Sequence, residues 1–525
     1  MTWRQYLILA LLGLLAAAFV AAFQPTPGYM DADYYYAGGM QLVTGHGFSE
    51  PYLWNYLDDP AGLPHPSHGY WMPLASLLAA AGARLFGPGS WSAARIGFLA
   101  VAASIPPLTA ALAFSFTSRR ALALTSGLLA VFSGFYLVYL PLPDTFGIYI
   151  LLGGLFFLTA NRKSISSTIP SIVNALLLGL IAGLMHLARA DGVLWLLLGF
   201  LAILFQPLQS RKPFPFQLLR FAFLVAGYLL VMAPWFLRNV SAFGSALAPG
   251  GSKMLWLTAY DQIFSYPANQ ITFSAWWQSG VNAILKVRAW ALGLNLANAF
   301  AVQGGIFLWP LGLAGIWHLR HDRSVRLAFL AWLLTLAAMT VVFPFAGARG
   351  GFLHSGAAMQ MVWWALVPIG LDKVIEWGVR RRGWKPARAR IVFPAILLAL
   401  TALLTGFISA GRLGAGSGQA WGHEQTAYRQ VKEFLALHGM SDGEVVIAAN
   451  PPGFWLATGH PAIALPDGDS QTVLALSRRY GARYLLLEEG SVTQRLKGVY
   501  DHPDEFPGLS YLGEVEGARV FEIRP

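Results

Sequence analysis

Long uninterrupted apolar runs are the feature of this sequence that most restricts its fold. Residues 6–23 contain no charged side chain and can cross about 30 Å of hydrocarbon, and similar runs recur as far as Ser409. Only 12% of the 525 residues are charged, against roughly 25% in an average soluble domain. Cysteine is absent. The sequence therefore excludes a soluble enzyme, a disordered chain and a disulfide scaffold, and it predicts a polytopic α-helical membrane protein.

About eleven transmembrane helices are predicted. They lie at residues 6–23, 91–116, 121–140, 146–160, 172–188, 193–205, 219–237, 302–317, 327–343, 357–371 and 391–409. A cleaved signal peptide is the alternative for the first segment, because Arg4 precedes it and small residues end it. The apolar segment 74–86 is too short for a span and contains Arg84, so we expect it to lie flat on the membrane surface as a juxtamembrane helix.

Charge divides the chain into two parts. Residues 1–420 carry 27 Lys and Arg against 11 Asp and Glu, a balance of +16, whereas residues 421–525 carry 9 against 14, a balance of −5. We interpret residues 1–410 as a membrane domain and residues 423–525 as a water-soluble domain, joined by a Gly- and Ser-rich linker at 411–422. The net charge of +11 then reflects membrane topology and indicates no nucleic-acid partner.

Basic and acidic residues alternate between successive loops. Arg4, Arg119, Arg320 and Arg380 belong to basic segments, and the alternate outer segments hold eight of the eleven acidic residues of the membrane domain. Positive charge marks the cytoplasmic side of a membrane. The predicted topology has a cytoplasmic N-terminus, an outer segment at residues 24–90, here called loop one, and an extracytoplasmic C-terminal domain. The expected location is the plasma membrane, in contact with its lipids.

Loop one contains two aspartates shortly after the first span. A carboxylate held at the membrane interface is partly desolvated and can act as a general base toward a hydroxyl. Asp31 and Asp33 are therefore candidate catalytic residues. The alternative is helix capping, because Asp31 precedes the helix-like stretch 33–43 and suits the positive end of a helix.

Further ionisable residues occur where four other predicted turns reach the outer face. They are Asp144, His186, Arg189, Asp191, Arg238, Arg349 and His354. Ionisable residues at membrane depth cost roughly 2.5–3.5 kcal/mol each on insertion scales and are usually functional. A snorkelling side chain is the alternative for Arg349. Together these residues predict an outward-facing cleft with carboxylates for proton transfer and cations for an anionic ligand such as a lipid-linked phosphate.

Metal and nucleotide motifs are weak or missing. His65 and His68 stand three residues apart in a Pro-containing loop, but no third ligand follows at a set spacing, so zinc binding is not expected there. No GxGxxG, P-loop, GxSxG or HExxH motif occurs in the sequence. Nucleotide binding is therefore unsupported.

An ordered set of motifs resembles the GT-C superfamily of membrane glycosyltransferases. The set comprises Asp31 near the start of loop one, YWMPLASLLAAAGARLFG, PDT, ARADG, PWFLRN and an extracytoplasmic C-terminal domain. Dolichyl-phosphate-mannose–protein mannosyltransferases and lipid A aminoarabinose transferases are the most similar families in pattern. The similarity covers roughly residues 1–410 and implies a GT-C-like fold.

The resemblance assigns roles to individual residues. Asp31 matches the acid that deprotonates the acceptor hydroxyl. Families often have Asp-Glu at this point, whereas Asp-Ala-Asp stands here, so Asp33 stays an alternative. Asp144 resembles a second acid of the site, and Arg238 is the best match for the ligand of the donor phosphate.

Two further matches concern the substrate-binding residues. Arg189 and Asp191 match an Arg-x-Asp/Glu turn. Relatives often carry Lys or His before the Pro-Leu of the juxtamembrane helix, but this chain has Trp71-Met72 there. His65 or His68 is therefore the candidate for the missing cation.

The implied reaction is a single inverting displacement. A sugar moves from a polyprenyl-phosphate donor to a hydroxyl of a lipid, glycan or protein acceptor, and Arg238 and His354 stabilise the leaving phosphate. No cofactor is expected, with a divalent cation left open. A transporter or flippase of lipid-linked sugars is the alternative function, although the internal repeats common in transporters are not seen.

The C-terminal domain is predicted to be a small α/β domain with a mixed sheet. Residues 425–438 have helical spacing, 445–449 and 482–488 read as buried strands, and 511–523 reads as a closing hairpin. The sequence shows no nucleophile and base in it. Acceptor recognition and a structural lid are both open as its role.

Overall fold

The protein is described by a computed structural model that covers residues 1–161, 168–205, 214–414 and 421–524. Residues 415–420 of the predicted linker lie outside these ranges. Within them, a helical bundle built from residues before Arg412 carries an α/β domain built mainly from residues after Gly422.

Apolar helices form the bundle. They are Trp3–Ala21, Trp91–Ala94, Ile96–Thr117, Arg120–Val131, Thr145–Ala160, Thr168–Ala188, Val193–Leu204, Phe214–Phe243, Val281–Asn298, Trp309–His318, Arg323–Ala337, Gln360–Arg382 and Pro386–Arg412. Leu, Val and Phe side chains of the first and last of these helices are exposed over much of their length, as expected for surfaces that face lipid. The chain is a multi-pass membrane protein.

Length and composition qualify seven helices of the described residues as membrane spans, or eight if one pair bent by 87° counts as a single span. The bent pair is Val281–Gln303 with Ile306–His318. The eleven predicted spans correspond to these eight and to three shorter apolar helices, which are Arg120–Val131, Thr145–Ala160 and Ala190–Leu204. How many of the three cross the membrane stays a prediction.

The sequence placed no span over the first half of the bent pair. Lys286, Arg288 and Asn295 interrupt the apolar pattern of Val281–Asn298, so the segment lacks a continuous hydrophobic run. Asn295 is nevertheless buried and donates to the Met339 carbonyl at 3.2 Å. Packing against a neighbouring helix thus supplies the partner that the sequence pattern did not reveal.

Loop one folds into two helices and three short strands. The helices are Met30–Val43 and Leu74–Phe86, and the second has the bounds of the predicted juxtamembrane helix. The strands are β1 (Ser49–Glu50), β2 (Tyr52–Leu53) and β3 (His65–Pro66), and β1 pairs antiparallel with β3.

The C-terminal domain contains strands β4 (Val445–Ala448), β5 (Ala462–Ala464), β6 (Ala482–Glu488), β7 (Leu509–Val515) and β8 (Ala518–Ile523). Its helices are His423–Leu437, Pro451–Thr458, Ser470–Tyr480 and Lys497–Asp501. The sheet order is β2-β5-β4-β6-β8-β7, parallel from β2 to β6 and antiparallel from β6 to β7.

Strand β2 shows that loop one and the C-terminal domain share one sheet. Tyr52 pairs with Ala462 and Leu53 with Ile463, and both loop-one side chains are fully buried. The domain boundaries predicted at residues 24–90 and 423–525 therefore separate segments of chain and not independent folding units. The domain is fixed to loop one by backbone pairing as well as by side chains.

The two ends of the bundle differ in chemistry. At one end Asp372 forms ion pairs with Arg119 and with Arg390, the latter at 3.2 Å. The helix Pro386–Arg412 leads from this cluster to Arg412, which lies beneath the C-terminal domain. We call the end that carries the C-terminal domain the domain side of the bundle.

Candidate active site

A cavity of about 920 Å³ separates the bundle from the C-terminal domain. Loop one contributes Tyr29 and Asp31 to its wall, and the bundle contributes His354 among others. The C-terminal domain supplies the opposite wall, including Glu424 and Glu488. A site of this size, with few convergent ionisable groups, is where binding and chemistry are expected in a fold of this kind.

Three ionisable side chains meet at the floor of the cavity. The Nε2 atom of His354 lies 3.7 Å from Oδ2 of Asp31, and its Nδ1 atom lies 3.3 Å from Oδ1 of Asp144. Each nitrogen of the imidazole therefore faces one carboxylate, one from loop one and one from the start of the helix Thr145–Ala160. The structure brings these three predicted residues together.

Neighbouring residues hold the Asp144 carboxylate and the His354 imidazole in place. Asp144 caps the helix Thr145–Ala160 by accepting from the Thr145 N–H, and its other oxygen accepts from the Tyr29 hydroxyl. The Thr145 hydroxyl lies 3.0 Å from Nδ1 of His354. The ring of His354 stacks on Phe146 with centroids 3.7 Å apart. Asp144 and His354 thus have little freedom, and Asp31 has more.

Asp31 is the most accessible of the three. One third of its side chain is exposed, against about one tenth for His354 and none for Asp144. Burial and the nearby Asp144 carboxylate raise the pKa of Asp31 to about 6, whereas His354 and Arg189 lower it. A carboxylate with this pKa is ionised at neutral pH and is basic enough to take a proton from a hydroxyl in a transition state.

The helix-capping alternative does not describe Asp31. Tyr29 is the N-cap residue of the helix Met30–Val43, and Asp31 lies inside its first turn. Its negative charge suits the helix dipole there, but its side chain faces His354 and the cavity.

Asp33 does not line the cavity. Two residues along an α-helix turn the side chain by about 200°, so Asp33 points away from Asp31. It is 1% exposed and accepts hydrogen bonds from Gln425 and Asn450 of the C-terminal domain. Its predicted catalytic role is therefore not supported by its position.

Neither His65 nor His68 supplies the expected cation to the cavity. His68 is fully buried between the hydroxyls of Ser67 and Ser76, at 2.8 and 3.0 Å. Burial and the nearby Arg238 lower the pKa of His68 to about 3, so it stays neutral.

His65 has a different environment but is also remote from the cavity lining. Its Nε2 atom lies 3.2 Å from Asp58 and its Nδ1 atom 3.8 Å from Glu50. Burial lowers the pKa of His65, but the two carboxylates raise it more, to about 9. His65 therefore holds loop one together as a charged side chain.

Arg238 is engaged elsewhere and does not line the cavity. Its guanidinium donates to the carbonyls of Phe48 and Ser67, at 3.2 and 2.8 Å, and to Oδ1 of Asn239. It also packs against the rings of neighbouring aromatic residues. Arg238 therefore stabilises loop one through these contacts. Its side chain is not part of the cavity in which the phosphate was expected to bind.

Arg189 lies closer to the acids. It pairs with Asp191 at 3.0 Å and lies over the ring of Tyr149. Its charge lowers the pKa of Asp31, so it acts on the cavity floor although it is absent from the lining. Asp191 holds Arg189 and is not itself in the cavity lining.

Two cavity arginines were not among the predicted site residues. Arg349 lies over the ring of Tyr260 and Arg412 over that of Phe135. In the described part of the chain neither guanidinium is ion-paired. Sequence reasoning singled out Arg349 by its outer turn but left membrane anchoring open, and Arg412 follows an ordinary apolar span.

The C-terminal wall adds buried carboxylates that the sequence did not suggest. The Tyr428 hydroxyl lies 3.0 Å from Glu424 and 2.9 Å from Glu488. Burial and the nearby Glu424 raise the pKa of Glu488 to about 7. The single hydroxyl proton of Tyr428 can be donated to only one of the two carboxylates at a time.

Asp31, Asp144 and His354 also fit a divalent cation by ligand type. One ligand atom from each lies within 4.8 Å of the others, and carboxylate and imidazole are ligands of zinc and manganese. The nitrogens of His354 also contact the two carboxylates directly, at 3.7 Å from Asp31 and 3.3 Å from Asp144.

Comparison with known proteins shows the fold. The sequence matches no protein-family model and has no significant match among curated proteins. Solved structures do match, and the likeness is to proteins of the GT-C fold.

Two of these structures are informative. ArnT from Cupriavidus metallidurans, bound to undecaprenyl phosphate, is 12% identical with a TM-score of 0.57, over 98% of this chain and 97% of ArnT. The oligosaccharyltransferase AglB from Archaeoglobus fulgidus, bound to an inhibitory peptide and a dolichol-phosphate, is 13% identical with a TM-score of 0.58, over 92% of this chain and 70% of AglB. Both are GT-C superfamily members, so the predicted resemblance is confirmed for the fold.

Proposed function

We propose that this protein is a glycosyltransferase that moves a sugar from a polyprenyl-phosphate donor to the hydroxyl of an acceptor. The observation that carries the proposal is the position of Asp31, a partly exposed carboxylate at the floor of a large cavity and 3.7 Å from His354. The lipid phosphates bound to ArnT and AglB support the class of donor. The shape and chemistry of the cavity wall determine whether a hexose or a pentose is transferred. They also determine whether the acceptor is a lipid, a glycan or a protein.

Asp31 is the base of the proposed reaction. The acceptor oxygen forms a bond to the anomeric carbon while its proton passes to the Asp31 carboxylate. The bond from the anomeric carbon to the phosphate oxygen breaks in the same step, and its electron pair leaves with the polyprenyl phosphate. Such a single displacement inverts the anomeric configuration. His354, held by Asp144 and Thr145, keeps Asp31 in place.

Cations of the cavity stabilise the leaving phosphate in this proposal. Arg349 lines the cavity and is free of ion pairs in the described ranges, and Arg189 acts electrostatically on Asp31. Positive charge placed where negative charge develops lowers the barrier. Arg349 thus takes the role that the sequence resemblance gave to Arg238.

No metal ion is required in this proposal. If a divalent cation bound, Asp31, Asp144 and His354 would hold it and it would supply positive charge beside the reacting atoms. The two nitrogens of the His354 imidazole already contact the two carboxylates directly.

We also propose that the domain side faces the outside of the plasma membrane. Arg119 and Arg390 lie at the opposite end of the bundle from the cavity, and basic loops face the cytoplasm. The N-terminus is then cytoplasmic, and the donor and acceptor meet at the outer surface.

Transfer in proteoliposomes tests the proposal. Purified protein is mixed with a panel of radiolabelled undecaprenyl-phosphate hexoses and pentoses and with an extract of envelope lipids and glycans as acceptors. Acceptor-dependent release of undecaprenyl phosphate, lost in Asp31→Asn and kept in Asp442→Asn, supports it. Asp442 is an exposed residue of the C-terminal domain and serves as the matched control. Full activity of Asp31→Asn contradicts the proposal, and movement of the sugar lipid across the bilayer without release supports a flippase.

A further inference from the structure

Asp33 connects loop one to the C-terminal domain through both of its carboxylate oxygens. Oδ1 accepts from Gln425 Nε2 at 3.0 Å, and Oδ2 accepts from Asn450 Nδ2 at 2.9 Å. The three side chains are buried. We call this group the Asp33 junction.

The orientation of Asn450 in the junction is fixed. Its Oδ1 atom accepts from the Gly453 N–H at 3.0 Å, as the cap of the helix Pro451–Thr458. Its amide group must therefore present a donor to Asp33. Only an acceptor at position 33 completes the contact, so the residue type of Asp33 matters as well as its size.

The same helix carries Asp31 on its other side. The helix Met30–Val43 thus has one face on the C-terminal domain and one on the cavity. Two further contacts join loop one to the C-terminal domain, one before and one after the helix Met30–Val43. Trp421 donates to the Thr26 carbonyl at 2.9 Å, and Tyr52 pairs with Ala462. The Asp33 junction lies between these two contacts in the sequence. Of the three, it is the contact made by the helix Met30–Val43 itself.

We propose that Asp33 is a positioning residue, which acts through Gln425 and Asn450 to fix the rotation of its helix and so hold Asp31 beside His354. The inference rests on the proposed function, because it assigns Asp33 a part in the reaction of Asp31. It also gives the C-terminal domain a role: the domain orients the catalytic base and does more than cover the cavity. A displacement of about 1 Å at a reacting group can cost on the order of 100-fold in rate, so a short helix needs such support.

A swap of the two hydrogen-bonding partners tests the proposal. Asp33→Asn keeps one acceptor oxygen but turns its amide group toward the amide donor of either Asn450 or Gln425, and we expect kcat for release of undecaprenyl phosphate to fall about 10- to 100-fold with little change in KM for the donor. The double variant Asp33→Asn with Asn450→Asp restores a donor and an acceptor in reverse order. Aspartate is also a good helix cap, so position 450 keeps its second function. We expect most of kcat to return in the double variant.

A second variant perturbs the junction without changing its members. A Cβ atom at position 453 would lie 2.9 Å from Oδ2 of Asp33 and 2.5 Å from Nδ2 of Asn450. Gly453→Ala is therefore expected to lower kcat as Asp33→Asn does. Resistance of the C-terminal domain to trypsin shows for each variant that the domain is still folded.

Each result decides the matter. Wild-type kcat in both Asp33→Asn and Gly453→Ala overturns the proposal. A loss in Asp33→Asn that the swap does not restore, in a trypsin-resistant protein, also overturns it, because the loss then does not come from the hydrogen bond between positions 33 and 450. Full activity of Asp31→Asn instead contradicts the proposed function, so the two failures are distinguishable.

Discussion

Nε2 of His354 lies 3.7 Å from Oδ2 of Asp31, and the other nitrogen of the same ring lies 3.3 Å from Asp144. The two partners of His354 differ in exposure, since Asp31 faces the cavity and Asp144 is inaccessible. This asymmetry separates a carboxylate that is open to the cavity from one that is enclosed beside the imidazole. The predictions below follow from it and from the surrounding charges.

Replacement of the imidazole is expected to impair transfer. His354→Gln removes the ring that contacts both carboxylates, so Asp31 loses its orienting partner and the repulsion by Asp144 is no longer offset. We expect kcat to fall about 100-fold. Thr145→Val, which removes only the hydroxyl beside Nδ1, is expected to have a smaller effect. Equal activity of His354→Gln and wild type would show that the imidazole is not needed.

The rate of transfer is expected to depend on pH through Asp31. The base must be ionised, and its pKa is about 6, so kcat/KM should rise about tenfold per pH unit below pH 6 and level off above it. His354 lowers the pKa of Asp31. The rise should therefore move to higher pH in His354→Gln, and an unchanged profile would assign it to another group.

The sequence predicted features that depend on neighbouring residues. Apolar runs located the helices, and the segment 74–86 was recognised by its length and by Arg84. Aliphatic runs such as 482–488 located strands, because a buried strand needs only a short stretch of Leu, Val or Tyr. Asp31, Asp144 and His354 were found because ionisable residues are rare near predicted membrane spans.

Features that depend on distant contacts were not predictable. Tyr52–Leu53 is two residues long and has no periodic pattern, yet it extends the sheet of the C-terminal domain. Arg238 looked like a phosphate ligand in sequence, but the carbonyls of Phe48 and Ser67 use its donors. Asp33 could not be separated from Asp31 without the position of Asn450. In each case the deciding partner comes from another segment of the chain.

Arg349 and Arg238 are expected to differ when each is changed to glutamine. Arg349 lines the cavity, so Arg349→Gln should raise KM for the polyprenyl-phosphate donor about tenfold and leave thermal stability unchanged. Arg238→Gln removes charged donors from two buried carbonyls, which costs roughly 1.5–3 kcal/mol per bond in such settings, and should lower the melting temperature. Donor titrations and thermal unfolding in detergent check both. The reverse pattern would restore Arg238 to the phosphate site.

Removal of divalent cations is expected to leave transfer intact. His354 contacts both carboxylates that would bind a metal and supplies them with a partner, so treatment with EDTA should change kcat by less than about twofold, within the range of ordinary assay conditions. Added Mn²⁺ or Mg²⁺ should have no larger effect. Loss of activity in EDTA and recovery with one of these ions would instead identify Asp31, Asp144 and His354 as a metal site.

The free energy of unfolding is expected to decrease as pH rises through the titration of Asp33. Burial and the nearby Glu424 raise the pKa of Asp33 to about 8, well above its usual value near 4. The folded protein then binds more protons than the unfolded chain between about pH 4 and pH 8, so stability decreases with pH across this window and is constant above it.

Thermal unfolding from pH 5 to pH 9 checks this prediction. We expect the melting temperature of the wild type to fall by at least about 3 °C across the window, and Asp33→Asn, which has no proton to lose, to show a smaller decrease. Because other groups titrate equally in both proteins, the difference between the two curves isolates Asp33. Parallel curves would show that the carboxyl group of Asp33 does not titrate in this range.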